Sequence, residues 1–190
     1  SALCLGPGLG LERARDLVPE ALHAGVPTVL DADALSCFAE DPQALFSALH
    51  EKVVLTPHAG EFARLFPDLA EAAFDPKPPA PDAGGPAAKE TTRRYRSALA
   101  AQTPPMVSRL DAVRCAARRA GCTVLLKGPD TVIADQTGAA IVHLAAYGRA
   151  VPQLATAGAG DVLAGFIAAQ VARGLPPLSA CESAAWLHVE

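Results

Sequence analysis

The stretch Lys52-Val53-Val54-Leu55-Thr56-Pro57-His58 shows most clearly how this chain is built, because a short apolar run ends abruptly in a polar cluster. Four other short apolar runs do not alternate with polar residues, namely Ala2-Leu5, Pro27-Leu30, Thr123-Leu126 and Thr131-Ala134. Runs of this kind are typical of strands that are buried on both faces of a parallel sheet.

Helical patterns lie between these runs. Asp41-Pro42 provides an N-cap and a proline for the first helical position, and an arginine-rich helix is predicted from near Arg109 to Gly121. Pro19 lies within the pattern from Leu11 to Ala24, which predicts a kink or two short helices there. Alternating strands and helices predict an α/β fold with a mostly parallel central sheet and helices on both faces.

The helix after Asp161 has a clear apolar pattern that ends at Arg173-Gly174. It predicts one buried face formed by Val162, Leu163, Phe166, Ile167, Ala169 and Gln170 or Val171.

Length and composition predict one globular domain over residues 1–190, since 51% of the residues are hydrophobic and 19% are charged. The proline-rich stretch from about 75 to 108 is interpreted as a surface excursion with one short helix near Thr91-Ala101. Five scattered cysteines favour buried free thiols over a disulfide framework or a zinc site.

The charge and the apolar pattern exclude several classes of partner. A net charge of -4 argues against a nucleic-acid partner, and no apolar run approaches the roughly 20 residues that would span a membrane. The first residues also lack the pattern of a secretory leader. We therefore expect a cytoplasmic protein.

Polar clusters follow four of the predicted strands at the point where each strand ends: Gly6-Gly10, Asp31-Asp33, Thr56-His58 and Lys127-Gly128. Ligands of open parallel sheets bind at the carboxyl ends of the strands, so the four clusters predict one site.

The glycine-rich turn and the two aspartates each have a structural alternative. The spacing G-x-G-x-G of Gly6-Gly10 either lets a ligand approach the backbone or only forms a tight turn, with equal weight. Asp31 and Asp33 are candidates for holding a magnesium ion through water, but no metal ligand is assigned. For Asp33, which precedes Ala34-Leu35, an N-cap is the favoured interpretation.

Two further groups are ambiguous by residue type alone. His58, Glu61 and Arg64 are expected on one face of a helix opened by Pro57, where their position favours ligand binding over a structural role. The turn Lys127-Gly128-Pro129-Asp130-Thr131 suits either nucleotide phosphates or a plain hairpin, with equal weight.

The strongest candidate is Ala157-Gly158-Ala159-Gly160-Asp161, directly before the amphipathic helix. Small residues let backbone N–H groups converge, and a helix N-terminus adds about half a positive charge, so the segment can bind a phosphoryl group. Asp161 beside it can accept a proton from an attacking hydroxyl. A merely favourable first-turn acid would explain Asp161 but not the small residues before it.

Together these motifs resemble the NAD(P)H-hydrate dehydratase family, which has a ribokinase-like fold. The resemblance is carried, in the family's order, by Gly6-Gly10, Val29-Leu35, Leu55-Glu61, Leu126-Ile133 and Leu154-Gly165. It implies dehydration of (S)-NAD(P)H-hydrate (NADHX or NADPHX) to NAD(P)H, with Mg2+ present and ADP (or ATP) as co-substrate, ADP being cleaved to AMP and phosphate.

The resemblance also implies roles for individual residues. Asp161 would be the catalytic base, and the substrate would be contacted by Gly8, Gly10, His58, Glu61, Arg64 and Asp161. The nucleotide would be held by Lys127, Gly128, Pro129, Asp130, Thr131, Gly158, Ala159 and Gly160. A homo-oligomer, and fusion to or pairing with an NAD(P)H-hydrate epimerase, are further expectations.

The chain departs from the family pattern in three respects. The family begins upstream of the Gly6-Gly10 turn, so we expect the N-terminal part to be lacking; the 75–108 stretch is longer than expected; and Ala159 stands where Thr, Ser or Met is frequent. Two other functions stay open: a small-molecule kinase of the same superfold, and a non-catalytic nucleotide-binding remnant.

Overall fold

A computed structural model describes residues 1–74, 107–144 and 156–189, in which six strands form one sheet in the order β1-β2-β3-β4-β5-β6. The strands are β1 Leu3–Leu5, β2 Thr28–Leu30, β3 Val53–Leu55, β4 Thr123–Leu126, β5 Asp130–Ala134 and β6 Ala140–Leu144. Neighbours from β1 to β4 are parallel, whereas β5 is antiparallel to both β4 and β6. The predicted, mostly parallel α/β sheet is confirmed.

Helices cover both faces of this sheet. They are α1 Leu11–His23, α2 Asp33–Ser36, α3 Pro42–Phe46, α4 Ala59–Leu65, α5 Pro67–Phe74, α6 Arg109–Ala120, α7 Ala159–Ala172 and α8 Pro177–Leu187. Residues alternate along the strands, so that Leu30 and Leu55 pack under α1–α6, while Val29 and Val54 pack under α7 and α8. Each face therefore has its own apolar core.

The burial of the strands agrees with the prediction in the centre of the sheet but not at its edges. β2, β3 and β4 are buried along their whole length, as the continuous apolar runs indicate. The expectation that β1 is buried on both faces is wrong, because β1 is an edge strand in which Leu3 and Cys4 are exposed. Three elements had not been predicted from the sequence, namely α5, α8 and β6, which forms the opposite edge.

The parallel register brings the ends of the strands together. Leu5 lies beside Leu30, and Leu30 beside Leu55. Leu55 pairs with Val124, so β4 continues past the end of β3 as far as Leu126. As a result the Lys127 N–H donates to the Pro57 carbonyl at 2.9 Å, which joins the loops after β3 and β4.

The helix boundaries follow the predicted caps. Asp41 Oδ1 accepts a hydrogen bond from the Ala44 N–H at 3.2 Å and caps α3. Gly121, with a φ of +66°, ends α6 as expected. Of the two alternatives predicted around Pro19, a kink or two short helices, the second is wrong, because α1 continues through this residue. Pro19 is exposed, so water can replace the hydrogen bond that its missing N–H would have made.

The buried face of α7 differs from the prediction. The buried residues are Leu163, Ala164, Ile167 and Val171. Val162 and Phe166, which were expected to be buried, are 51% and 40% exposed. The physical reason is that α7 packs against β1, β2 and α8 through its other side, while the Phe166 ring meets His188 edge-on at 6.2 Å.

Several expectations fall outside the described residues or are met only in part. The proline-rich stretch is described only at Val107 and Ser108, and the helix expected near Thr91-Ala101 lies outside the described residues. All five cysteines are free, but only Cys37, Cys122 and Cys181 are buried. Among the helices in residues 1–74, 107–144 and 156–189, none is both long and apolar enough to cross a membrane.

Gly6 provides a test of how β1 is joined to β2. A Cβ on Gly6 would collide with the Asp31 carbonyl oxygen, only 1.7 Å away, and the φ of Gly6 is +127°. We expect Gly6→Ala to lower the free energy of unfolding by about 3 kcal/mol or more, measured by urea denaturation. The matched control is Gly25→Ala, which has a φ of +65° but open space at Cβ; only the left-handed conformation should cost stability there, about 1–2 kcal/mol. Equal losses would show that the close approach to Asp31 does not matter.

Candidate active site at the carboxyl edge of the sheet

The glycine-rich turn is tied to the end of β2. The Gly10 N–H donates to Asp33 Oδ2 at 2.8 Å. The predicted N-cap role of Asp33 is therefore wrong, because Ala32 occupies the N-cap position of α2 and the Asp33 side chain is engaged with the turn. Gly8 and Gly10 have φ values of +62° and +83°, with no atom of the described residues within 4 Å of a Cβ position, so the backbone there is open to a ligand.

Ala32 lies in a strained backbone conformation between the two aspartates. Its φ of +46° is positive, which among the described residues is seen at no other residue except glycines. Strain of this kind is stored at functional sites when the surrounding structure enforces it. Here the hydrogen bond from the Asp31 N–H to the Leu5 carbonyl, at 3.0 Å, holds the preceding residue in place.

His58 caps α4 through its side chain. Its Nδ1 accepts hydrogen bonds from the Gly60 and Glu61 N–H groups at 2.9 and 3.3 Å, and its own backbone N–H donates to Glu61 Oε2 at 2.9 Å. Because Nδ1 is an acceptor, this network assigns the proton of the neutral ring to Nε2. The His58 side chain is 55% exposed, so its Nε2 edge is accessible beside the strand ends.

Of the three polar residues expected on one face of α4, His58 and Glu61 contact each other. Glu61 is buried and lies with Oε1 3.5 Å from His58 Nε2, so its carboxylate orients the imidazole. Arg64 is exposed in the last turn of the same helix. The spacing predicted a shared face but did not reveal the reciprocal capping box, in which a histidine takes the place of the usual Ser or Thr.

Lys127 connects three elements of the site. Its Nζ lies 2.5 Å from Asp31 Oδ1, and Asp31 is fully buried. The same Nζ lies 3.0 Å from the position of a Cβ on Gly160, so a glycine at the start of α7 leaves room for the ammonium. Sequence reasoning placed Lys127 and Asp31 at the same edge but did not predict their ion pair, which spans 96 positions in the chain.

The turn Lys127–Thr131 is a hairpin between antiparallel strands and is braced by Arg109. Arg109 Nε lies 3.3 Å from Asp130 Oδ2, and its guanidinium stands over the Phe74 ring at 5.1 Å from the centroid. A Cβ on Gly128 would lie 2.8 Å from Arg109 Nη2. The structure thus brings Gly128 and Asp130 together around a residue that the sequence did not single out.

The N-terminus of α7 carries the small residues and the candidate base. Gly158, with a φ of +88°, is the N-cap; Ala159, Gly160 and Asp161 form the first turn, and Asp161 is exposed. Loss of solvent around the Cys4 thiol raises its pKa, and the charges of Asp31 and then Asp161 raise it further. Both carboxylates therefore lie within electrostatic range of Cys4 in β1.

His188 is a further neighbour of this region that the sequence did not indicate. Burial lowers the pKa of His188, against the opposing effect of a hydrogen bond to the Ala159 backbone. The C-terminal end of α8 therefore packs against the first turn of α7.

These features define a class of protein: an α/β protein in which loops after parallel strands meet the N-terminus of a helix. A solved ribokinase-like superfamily protein from Enterococcus faecalis shares the fold, with a TM-score of 0.58 and 24% identity, over 99% of this chain and 53% of that one. The ribokinase-like architecture expected from the sequence is confirmed.

The chain belongs to the NAD(P)H-hydrate dehydratase family, whose model matches residues 1–190. It is 37% identical over 185 residues to a bifunctional NAD(P)H-hydrate repair enzyme from Mycobacterium leprae, a match that covers 97% of this chain and 31% of the relative. The ADP/ATP-dependent NAD(P)H-hydrate dehydratase from Bacillus subtilis, co-crystallised with ATP/Mg2+, superposes with a TM-score of 0.61 and 26% identity, over 98% of this chain and 54% of that one. The chain thus spans about a third of the first and half of the second.

Replacement of His58 tests whether its side chain caps α4. His58→Asn keeps a good N-cap acceptor and is expected to leave the urea midpoint of unfolding nearly unchanged, whereas His58→Ala should lose about 1 kcal/mol. The measurement is equilibrium urea unfolding of both variants. If the two variants lost the same stability, the His58 side chain would not be capping α4.

Proposed function

We propose that this chain dehydrates (S)-NAD(P)H-hydrate to NAD(P)H while cleaving ADP to AMP and phosphate. One observation carries the proposal beyond family membership: the Lys127 ammonium is held against Gly160, one residue before the exposed Asp161 at the N-terminus of α7. A cation, the N-terminus of a helix and a carboxylate in one region support the proposal. Transfer of a phosphoryl group to a hydroxyl requires this combination.

Asp161 is the proposed base. It takes the proton of the hydroxyl on C6 of the hydrated nicotinamide ring. The hydroxyl oxygen forms a bond to the terminal phosphorus of ADP, and the bond from that phosphorus to the AMP oxygen breaks. In the second step the C6–O bond breaks, a proton leaves the adjacent ring carbon, and inorganic phosphate departs. The conjugated dihydronicotinamide ring is restored, and the first-turn N–H groups of α7 stabilise the phosphoryl charge.

The nucleotide side of the site is formed by the β4–β5 turn and the start of α7. Lys127 would meet phosphate oxygens directly, while the backbone from Gly128 to Thr131 would approach the nucleotide at a turn braced by Arg109. Gly158 and Gly160 would contribute backbone donors, whereas the Ala159 N–H donates to the Thr156 carbonyl at 3.3 Å and would line the same turn. ADP and ATP present the same kind of terminal phosphate to these groups, so the geometry supports either nucleotide.

The hydrated substrate would lie on the side of β1–β3. Gly8 and Gly10 expose backbone there, and the half-exposed His58 ring lies beside the buried Glu61 carboxylate. The exposed edge of this ring is proposed to contact the nicotinamide group. The exposed Arg64 guanidinium is proposed to meet the phosphates of the same dinucleotide.

Magnesium fits the residues present at one position. Asp31 Oδ2 is buried and has no hydrogen-bond partner among the described residues. This hard oxygen ligand lies next to the residues that are proposed to bind the nucleotide. Magnesium is usually held by one or two carboxylates together with substrate phosphates, and the described residues contain no group of three or more His, Cys, Asp or Glu residues that could hold a metal. When bound, the ion would offset phosphate charge.

The proposed function also bears on the partners and the location of this chain. The Mycobacterium leprae relative is bifunctional, which supports an NAD(P)H-hydrate epimerase fused to or paired with this chain. A cytoplasmic location suits a soluble dinucleotide as substrate. A homo-oligomer and a single domain over residues 1–190 remain predictions.

The function is tested by incubating the full chain with hydrated NADH, magnesium and ADP or ATP, and following the absorbance of the restored dihydronicotinamide. We expect nucleotide-dependent recovery that falls at least about 100-fold in Asp161→Asn, because the proton acceptor is lost. Affinity for ADP should change by less than about tenfold, since backbone amides hold the phosphates. The matched control is Asp41→Asn. Asp41 lies away from the site, and asparagine can still cap α3.

Three outcomes would redirect the assignment. Phosphorylation of a different alcohol without recovery of NADH would identify a small-molecule kinase. Nucleotide binding without either reaction would identify a non-catalytic module. A collapse of ADP binding in Asp161→Asn would contradict the role of Asp161 as a base.

A further inference from the structure

We propose that Asp31 is a positioning residue, which holds Lys127 on the nucleotide side of Gly160 and so prevents the ammonium from pairing with Asp161. This inference rests on the proposed function, because it concerns the base of that reaction. It gives the two carboxylates of the site different tasks. Asp31 retains the cation, and Asp161 stays available to accept a proton.

The geometry of Asp31 makes it a rigid anchor. It is fully buried at the end of β2, where its N–H donates to the Leu5 carbonyl at 3.0 Å. Its carbonyl lies so close to Gly6 that a side chain there would collide with it. Its carboxylate meets Lys127 Nζ at 2.5 Å, and the lysine side chain is only 19% exposed. The ammonium is therefore held by a buried group whose backbone is fixed by neighbouring strands.

Asp161 is the competing partner. Lys127 Nζ lies 3.0 Å from the Cβ position of Gly160, and consecutive Cα atoms are about 3.8 Å apart, so the ammonium lies no more than about 8 Å from the Cα of Asp161. Asp161 is exposed in the first turn of α7, and both carboxylates act on the Cys4 thiol. A lysine on its flexible four-carbon stem could reach either carboxylate, and the buried Asp31 decides between them.

Pairing with Asp161 would impair the reaction in two ways. A carboxylate that accepts hydrogen bonds from an ammonium is a weaker base, because the charged form is stabilised. The ammonium would also leave the place where it meets phosphate, and misplacement by about 1 Å can cost about 100-fold in rate. Affinity for ADP in the absence of magnesium should not suffer, since removal of the Asp31 charge makes the site more positive.

The test is a double-mutant cycle of Asp31→Asn and Lys127→Met, with kcat from NADH recovery at saturating magnesium and ADP affinity from calorimetry without magnesium. We expect Asp31→Asn to lower kcat about 10- to 100-fold, with ADP affinity unchanged or higher and the KM for hydrated NADH within about twofold. When Lys127→Met is already present, adding Asp31→Asn should change kcat by less than about twofold, because the ammonium that it positions is gone. The control Asp41→Asn should match the wild type throughout.

A kcat for Asp31→Asn within about threefold of the wild type would overturn the proposal, since misplacement of the ammonium should cost more. So would an equal loss when Lys127→Met is present, which would assign Asp31 to the metal or to stability instead. A joint loss of kcat and ADP affinity would likewise indicate structural damage. If Asp31→Asn does not fold, the double variant, which leaves no unpaired charge, is compared with Lys127→Met alone: equal kcat supports the proposal, and a lower kcat overturns it.

A crystal structure of Asp31→Asn without nucleotide gives a readout that does not depend on activity. We expect Lys127 Nζ to move from its place beside Gly160 to the Asp161 carboxylate. An ammonium that stays beside Gly160 would overturn the positioning role, even if the wild type restores NADH. Conversely, failure of the wild type to restore NADH would contradict the proposed function, while the position of the ammonium would still decide the role of Asp31.

Discussion

The parallel register of β1–β4 is the constraint on which the site depends. Because Leu5, Leu30 and Leu55 lie side by side, the residues that follow them leave the sheet at one edge. The extra length of β4 brings Lys127 level with Pro57. The polar groups of the site come from these strand ends, from the helix that follows β3 and from the start of α7. A slip by one residue would turn the side chains of a strand to the opposite face.

The ion pair between Asp31 and Lys127 builds on this alignment. It joins the end of β2 to the end of β4 and carries the cation to the first turn of α7. A partly buried pair of this kind is weak evidence for stability, since desolvation of both charges offsets much of their attraction. Its value lies in placing charge, and a side chain at position 160 would press on the ammonium.

Local structure was predictable wherever the signal lies within a few residues. The cap at Asp41, the left-handed end at Gly121 and the buried strands β2–β4 all follow from short patterns. The failures arise where distant contacts decide. Asp33 is engaged by Gly10 rather than by its own helix, and α1 continues through Pro19 because that position faces water.

The sequence by itself determined the fold class, the family and the position of each polar cluster after a strand, because apolar periodicity and short turn motifs are local properties of the chain. Only the tertiary structure decided which charges meet. Asp31 and Lys127, and Arg109 and Asp130, are brought together by register and by the packing of α6 and α7 against the sheet. Contacts of this kind depend on side-chain reach across neighbouring elements, which no local pattern encodes.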